Sequence, residues 1–83
     1  CEMNFEILDK EGTVAAIKKK FAESEMYELD GLTVRYPDWW FNIRLSNTEP
    51  VLRLNMEADT KALLESKLAE LRPLLGKEVK SAH

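Results

Sequence analysis

Residues 44–53 have the composition of an anion-binding loop. The segment reads Arg-Leu-Ser-Asn-Thr-Glu-Pro-Val-Leu-Arg, so Arg44 and Arg53 flank a turn that is rich in hydroxyl and amide groups. A guanidinium group is a planar fork of N–H donors that fits a phosphate in bidentate geometry. Ser46, Asn47 and Thr48 add side-chain donors, and backbone N–H groups in such a turn can converge on an anion. These residue types predict an oxyanion site, with phosphate as the favoured ligand.

The same residues also have an ordinary interpretation. Ser, Asn and Thr are common in turns, and from composition alone a plain hairpin turn is the favoured prediction. Pro50 lacks an N–H, which suits the point where a loop re-enters a strand. The choice between the two interpretations therefore depends on the elements around the loop and on the order of its residues.

Alternating apolar and polar residues predict four strands around this loop. The first covers residues 2–7, and the others cover residues 32–36, 39–46 and 51–58. The last three are predicted to be consecutive and antiparallel, with turns at Asp30-Gly31, at Pro37-Asp38 and at the loop itself. We interpret residues 24–29 as a connector without regular structure, and residues 77–83, which include His83, as a frayed tail.

Two helices are predicted between and after the strands. Asp9 or Thr13 should cap the first, and Asp59 or Thr60 should cap the second. Pro73 should end or kink the second helix just before it. Apolar residues at spacings of three and four mark the buried stripe of each helix: Val14, Ile17 and Phe21 in the first, and Leu64, Leu68, Leu71 and Leu75 in the second.

The predicted pairing of the two strands beside the loop also bears on whether the loop binds an anion. Matching the apolar faces of the two strands beside the loop allows Leu45 to pair with Leu52, and this register sets Arg44 directly opposite Arg53, whereas a register shifted by two residues would not. Like charges in that position destabilise a sheet, and a bound dianion would remove the repulsion. The alternative is that Glu49 or Glu57 neutralises the arginines as a salt bridge. The additional neutral donors of the loop favour the anion, because a salt bridge would not require them.

The order of the loop residues is more specific than their composition. Arg-x-Ser-Asn-Thr-Glu-Pro at residues 44–50, followed by a further arginine at position 53, closely resembles the phosphate-binding loop of the phosphohexomutase family. The alternating segment that begins at Glu2 is similar to the start of the fourth, C-terminal domain in that family. The resemblance extends from Glu2 to about Leu75.

The resemblance implies roles for particular loop residues. By position, the residues that would hold the substrate phosphate are Arg44, Ser46, Asn47 and Thr48. Arg53 would be a second guanidinium, and Glu49 would orient the loop arginines. Ser-Asn-Thr, instead of Ser-Gly-Thr, favours the phosphomannomutase/phosphoglucomutase branch. The implied ligand is a phosphosugar, such as a mannose or glucose phosphate.

The expected fold is α+β, with element order β-α-β-β-β-α across a single domain of residues 1–83. Four strands should form a mostly antiparallel sheet with both helices on one face, which makes a two-layer sandwich. The fourth domain of the phosphohexomutases has this layout, of the type seen in the TATA-binding protein. Fold and motif thus lead to the same family.

The resemblance also indicates what lies outside this chain. The sequence has no Asp-x-Asp-Gly-Asp magnesium loop and no Ser-His-Asn-Pro phosphoserine loop. We therefore expect a domain of a larger enzyme, an intramolecular phosphotransferase whose Mg²⁺ and phosphoserine belong to three other domains. This domain should bind no cofactor, and alone it should be inactive.

Composition disfavours several other classes of protein. The formal net charge of −3 argues against nucleic-acid binding, which usually needs an excess of Lys and Arg. A single cysteine, Cys1, leaves no disulfide framework or cysteine-based metal site. No apolar run approaches the roughly 20 residues that span a bilayer, so we expect a cytoplasmic protein. Two alternatives stay open: a sheet that stacks bases on Trp40, and a protein-interaction module that uses Trp40 and Val51.

Overall fold

An antiparallel sheet dominates the computed structural model, which describes residues 1–80. Within those residues the strands are β1 (Glu2–Glu6), β2 (Glu25–Tyr27), β3 (Leu32–Arg35), β4 (Trp39–Leu45), β5 (Val51–Ala58) and β6 (Glu78–Val79). The helices are α1 (Lys10–Lys20) and α2 (Lys61–Leu71), and a short 3₁₀ turn, Arg72–Leu74, follows α2. The strand order is β2-β3-β4-β5-β1-β6, so the hairpin formed by β4 and β5 lies at the centre.

The predicted α+β class, with two helices and an antiparallel sheet, is confirmed, but the prediction of four strands is wrong. The sheet has six strands within residues 1–80. Strand β2 lies inside the predicted connector of residues 24–29 and pairs with β3. Strand β6 lies inside the predicted tail of residues 77–83 and pairs with β1. With three and two residues, these edge strands are too short to show an alternating pattern. His83 lies outside the described residues.

One face of the sheet carries the core, as the strand pattern predicted. We call this the inner face and the opposite one the outer face. Phe5, Val34, Phe41 and Leu54 are at most 1% exposed on the inner face, and burying each such side chain stabilises the fold by about 1.5–3 kcal/mol. Both helices pack on this face through buried residues, which are Ile17, Phe21 and Leu71.

A side-chain cap marks the start of each helix. Asp9 caps α1 by accepting a hydrogen bond from the Gly12 N–H at 2.9 Å, and Thr60 caps α2 through the Leu63 N–H at 3.1 Å. Each of these residues was one of two predicted candidates. Helix α2 ends at Leu71, ahead of Pro73, as predicted. The cap of α1 sets the position of its first turn, which lies beside the loop that joins β4 to β5.

Candidate functional site

The central hairpin places two arginines directly opposite each other. Strands β4 and β5 pair antiparallel in a register that matches Arg44 with Arg53 and Leu45 with Leu52, which confirms the predicted register. On the other side of β5, Asn4 of β1 is the partner of Arg53. Because the neighbours of these residues along each strand face inward, Asn4, Arg53 and Arg44 form one row across the outer face.

The two arginines have no acidic partner in the described residues. The three salt bridges found within residues 1–80 join Lys18 to Glu28, Lys67 to Glu70 and Arg72 to Glu78. Neither arginine of the row takes part in one, and both are exposed. In the part of the chain described, their opposed positive charges are therefore not neutralised by a salt bridge, which is the arrangement that an anion would stabilise.

Neither of the two predicted neutralising acids forms an ion pair with the arginines. Glu49 lies on the wall of the same pocket as Arg44 and Arg53, whereas Glu57 is the cross-strand partner of Trp40. In the part of the chain described, no salt bridge joins either acid to an arginine. That Glu49 orients the loop arginines stays a prediction.

Ser46 organises the turn between the two strands. Its N–H donates to the Val51 carbonyl at 3.0 Å. Its Oγ accepts hydrogen bonds from the N–H groups of Thr48 at 3.3 Å and Glu49 at 3.1 Å. A hydroxyl group that accepts two hydrogen bonds keeps its own hydrogen for donation. Ser46 therefore shapes the loop through its oxygen and can still offer one O–H to a ligand.

An open pocket of about 270 Å³ lies over the row of arginines. Small-molecule pockets typically measure about 300–1,000 Å³, so this one suits a small group held from one side. Seven residues line the pocket: Asn4, Arg44, Leu45, Ser46, Glu49, Val51 and Arg53. Of the predicted ligands, the structure thus brings Arg44, Ser46 and Arg53 together. Asn47 and Thr48 are exposed in the loop and are not among the residues that line it.

Sequence reasoning missed two residues at this site. Asn4 is half-buried and lies at the pocket wall. Lys10, in the first turn of α1, donates from its Nζ to the Ser46 carbonyl at 2.5 Å. The alternation of β1 put Asn4 on the outer face, but only the pairing of β1 with β5 brings it beside Arg53. Nothing in the sequence connects Lys10 with a residue 36 positions away.

The remainder of the outer face is mixed in charge. Trp40 is half-buried between its cross-strand partners Arg35 and Glu57. Arg35 donates to the Tyr27 hydroxyl at 3.4 Å, and this hydrogen bond raises the pKa of the Arg35 guanidinium. A nucleic-acid surface needs a continuous basic stripe with further aromatic side chains. The surroundings of Trp40 lack that composition.

Two further properties concern metals and membranes. Among residues 1–80, no group of three or more His, Cys, Asp or Glu side chains could hold a metal ion. In the same part of the chain, no helix has the length and apolar character needed to cross a membrane.

Fold and site define an α+β domain with an arginine-flanked, hydroxyl-rich loop at one end of its central hairpin. Residues 2–74 match the family described as phosphoglucomutase/phosphomannomutase, C-terminal domain. The chain belongs to this family, as the loop sequence implied.

Named relatives support the same assignment. The chain is 41% identical over 76 residues to a phosphomannomutase of Methanocaldococcus jannaschii, and the aligned region covers 92% of this chain and 17% of that protein. It is also 41% identical over 78 residues to a phosphomannomutase of Escherichia coli, with 89% and 17% covered. A probable phosphoglucosamine mutase of Pyrococcus abyssi is 33% identical over 66 residues, which cover 80% of this chain and 15% of that protein. The chain thus spans about a sixth of the length of these relatives.

Proposed function

We propose that this chain is the phosphate-binding domain of a longer phosphohexose mutase. In that enzyme it would hold the phosphate of a mannose or glucose phosphate at the end of the sugar that is not reacting. The observation that carries the proposal is the register that places Arg44 opposite Arg53, with neither arginine in a salt bridge within residues 1–80. The names of the relatives support the enzyme class, an isomerase that works by intramolecular phosphoryl transfer.

The energetics of the arginine pair favour a doubly charged ligand. An ordinary exposed pair of opposed arginines weakens the sheet, while two guanidinium forks can each donate in bidentate geometry to one phosphate. Asn4 and the Ser46 hydroxyl would add neutral donors from two sides of the pocket. A carboxylate ligand carries half the charge of a phosphate dianion and would satisfy fewer of these donors.

The role that we propose is to bind and orient the substrate. Binding energy from a part of the substrate that does not react can position the part that does. Arg44 and Arg53 would supply that energy, and Ser46 would keep the loop in shape. The Mg²⁺ and the phosphoserine expected in the family would belong to the rest of the parent protein, because this sequence has neither the Asp-x-Asp-Gly-Asp nor the Ser-His-Asn-Pro loop. A sugar that is phosphorylated at both ends could present a non-reacting phosphate in either orientation.

The experiment is a ¹⁵N NMR titration of the 83-residue chain with inorganic phosphate, mannose 6-phosphate, mannose and a short RNA. We expect phosphate and mannose 6-phosphate to shift the amides of residues 44–53 and to leave α2 nearly unchanged. The dissociation constant should be on the order of 1 mM, because a few exposed charge-assisted hydrogen bonds work against the entropy of association. Binding should weaken as salt is added, and mannose alone should not bind.

The titration has a matched pair of variants. Arg44→Lys should weaken binding, because a point charge cannot replace the bidentate fork. Arg35→Lys makes the same change elsewhere on the outer face and should leave the affinity unaltered. If both phosphates left the amides of residues 46–48 unmoved while RNA shifted Trp40 and Arg35, the proposed function would be wrong and the nucleic-acid alternative would replace it.

A further inference from the structure

Lys10 is connected to the loop by a contact that the sequence does not reveal. Its ammonium group donates to the carbonyl oxygen of Ser46 at 2.5 Å, in a partly buried position. The two residues are separated by 36 positions, and the contact joins the first turn of α1 to the loop that follows β4. A hydrogen bond from a charged donor is about twice as strong as one between neutral groups.

Ser46 is the residue on which the conformation of the loop depends. Its N–H, its carbonyl and its Oγ are all engaged, with Val51, with Lys10, and with Thr48 and Glu49 respectively. The Lys10 contact is the one that comes from outside the hairpin. It therefore fixes the position of the loop relative to α1, whereas the other contacts of Ser46 are made within the hairpin and fix the shape of the loop.

The position of Lys10 also matters for charge. An ammonium group has three donors, and the Ser46 carbonyl uses one of them. Other lysines of α1 differ in their surroundings: Lys18 pairs with Glu28 at 3.0 Å, and Lys19 is exposed. Lys10 thus adds a positive charge at the end of the sheet where Arg44 begins the loop.

We infer that Lys10 is a positioning residue of the phosphate site: it holds the Ser46 carbonyl, and through it the anion-binding loop. This inference rests on the proposed function, because it assigns a role in binding the same phosphate. Two effects should act together when the side chain is removed. The loop should lose its connection to α1, and the anion should lose a nearby cation.

The test compares three variants of the 83-residue chain by NMR titration with inorganic phosphate and mannose 6-phosphate. Lys10→Met removes the charge and keeps a chain that can pack. It should weaken binding about tenfold, because the unbound loop then populates conformations that do not bind and the bound anion loses a nearby cation. Lys10→Arg keeps a charged donor and should restore most of the affinity. Lys19→Met makes the same change of net charge on the same helix and should bind as the wild type does.

A second measurement separates positioning from a role in folding alone. Amide hydrogen exchange at Thr48 and Glu49 without ligand should speed up in Lys10→Met and stay unchanged in Lys19→Met, because loop opening is a local event. If Lys10→Met bound phosphate as the wild type does, the inference would be wrong while the proposed function stood. If the wild type itself bound no phosphate, the proposed function would fail, and this inference would fail with it.

Discussion

Replacing Arg53 with glutamine should make the domain more stable than the wild type in the absence of phosphate and less stable than the wild type in its presence. Arg53 lies opposite Arg44 on the exposed outer face, and no acid in the described part of the chain pairs with either. Glutamine keeps most of the side-chain length and removes the charge. The substitution therefore relieves the repulsion and removes one guanidinium fork from the site at the same time.

The expected magnitudes can be calculated for each condition. Like charges opposite each other on a sheet cost roughly 0.2–1 kcal/mol, so Arg53→Gln should raise the free energy of unfolding by about 0.5 kcal/mol at low salt. The loss of a charged hydrogen-bonding partner, about 1.5–3 kcal/mol, should weaken phosphate binding roughly 10- to 100-fold. With a dissociation constant of about 1 mM, 100 mM phosphate stabilises the wild type by about 2.7 kcal/mol, but the variant by only about 0.4–1.4 kcal/mol.

The assay is urea unfolding monitored by tryptophan fluorescence, because Trp39 is only 4% exposed in the core and becomes exposed to water when the chain unfolds. Unfolding is measured in dilute buffer, in 100 mM phosphate, and in sodium chloride of the same ionic strength. We expect the order of stability to reverse: the variant is the more stable protein in dilute buffer, and the wild type is the more stable one in phosphate. In sodium chloride the two should differ little, because salt screens the repulsion between exposed charges.

Arg35→Gln is the matched control for this experiment. Arg35 is on the same face, but it donates to the Tyr27 hydroxyl and lies opposite Trp40. Its removal relieves no repulsion between arginines and should not change the response to phosphate. The reasoning would be refuted if Arg53→Gln destabilised the chain in dilute buffer, or if phosphate stabilised the Arg53 variant as strongly as the wild type.

Three further predictions concern folding and activity. Gly76→Ala should cost about 2–3 kcal/mol in urea unfolding, because a β-carbon there would overlap the Glu6 carbonyl oxygen. Gly12→Ala should stay within about 1 kcal/mol of the wild type, because a β-carbon there would meet only the side chain of Asp9, and the cost of a displaced helix cap is offset by the higher helix propensity of alanine. Leu54→Asp should cost about 3–5 kcal/mol by burying an unpaired charge. Asn55→Asp, one residue further on and exposed, should cost no more than about 1 kcal/mol, the repulsion from its cross-strand partner Glu2. Equal costs would contradict the assigned faces. The 83-residue chain should not interconvert mannose phosphates in a coupled assay, and turnover above background would show that the catalytic groups are not confined to the rest of the parent protein.

Strand parity and register could be predicted because the buried face is continuous. Each of the four longer strands alternates over at least four residues, so shifting any of them by one position would turn its apolar side chains to water. The tight turn at Pro37-Asp38 set the pairing of β3 with β4, and the matching apolar faces allowed the pairing of β4 with β5 that the structure shows, although they did not exclude a shift by two residues. That pairing set Arg44 against Arg53, which is the central feature of the site.

The two edge strands could not be predicted because their structure is defined by their partners. Residues 25–27 pair with β3 and residues 78–79 pair with β1, but neither segment is long enough to carry a period of its own. Part of the contact to β6 comes from the backbone, since the Glu6 N–H donates to the Lys77 carbonyl at 2.7 Å. A hydrogen bond between main chains has no signature in side-chain composition.

Some residues of the candidate site could be predicted from the sequence, and others could not. The loop sequence named its arginines and hydroxyl groups, but the pocket wall also needs Asn4, and the contact that anchors the loop to α1 comes from Lys10. These two residues reach the loop only after β1 has paired with β5 and α1 has packed on the inner face. The binding geometry is consequently coupled to folding of the whole domain. A peptide of residues 44–53 would carry most of the ligands, yet it would lack the register that opposes the arginines and the contact that fixes Ser46. It should therefore bind phosphate far more weakly than the complete chain.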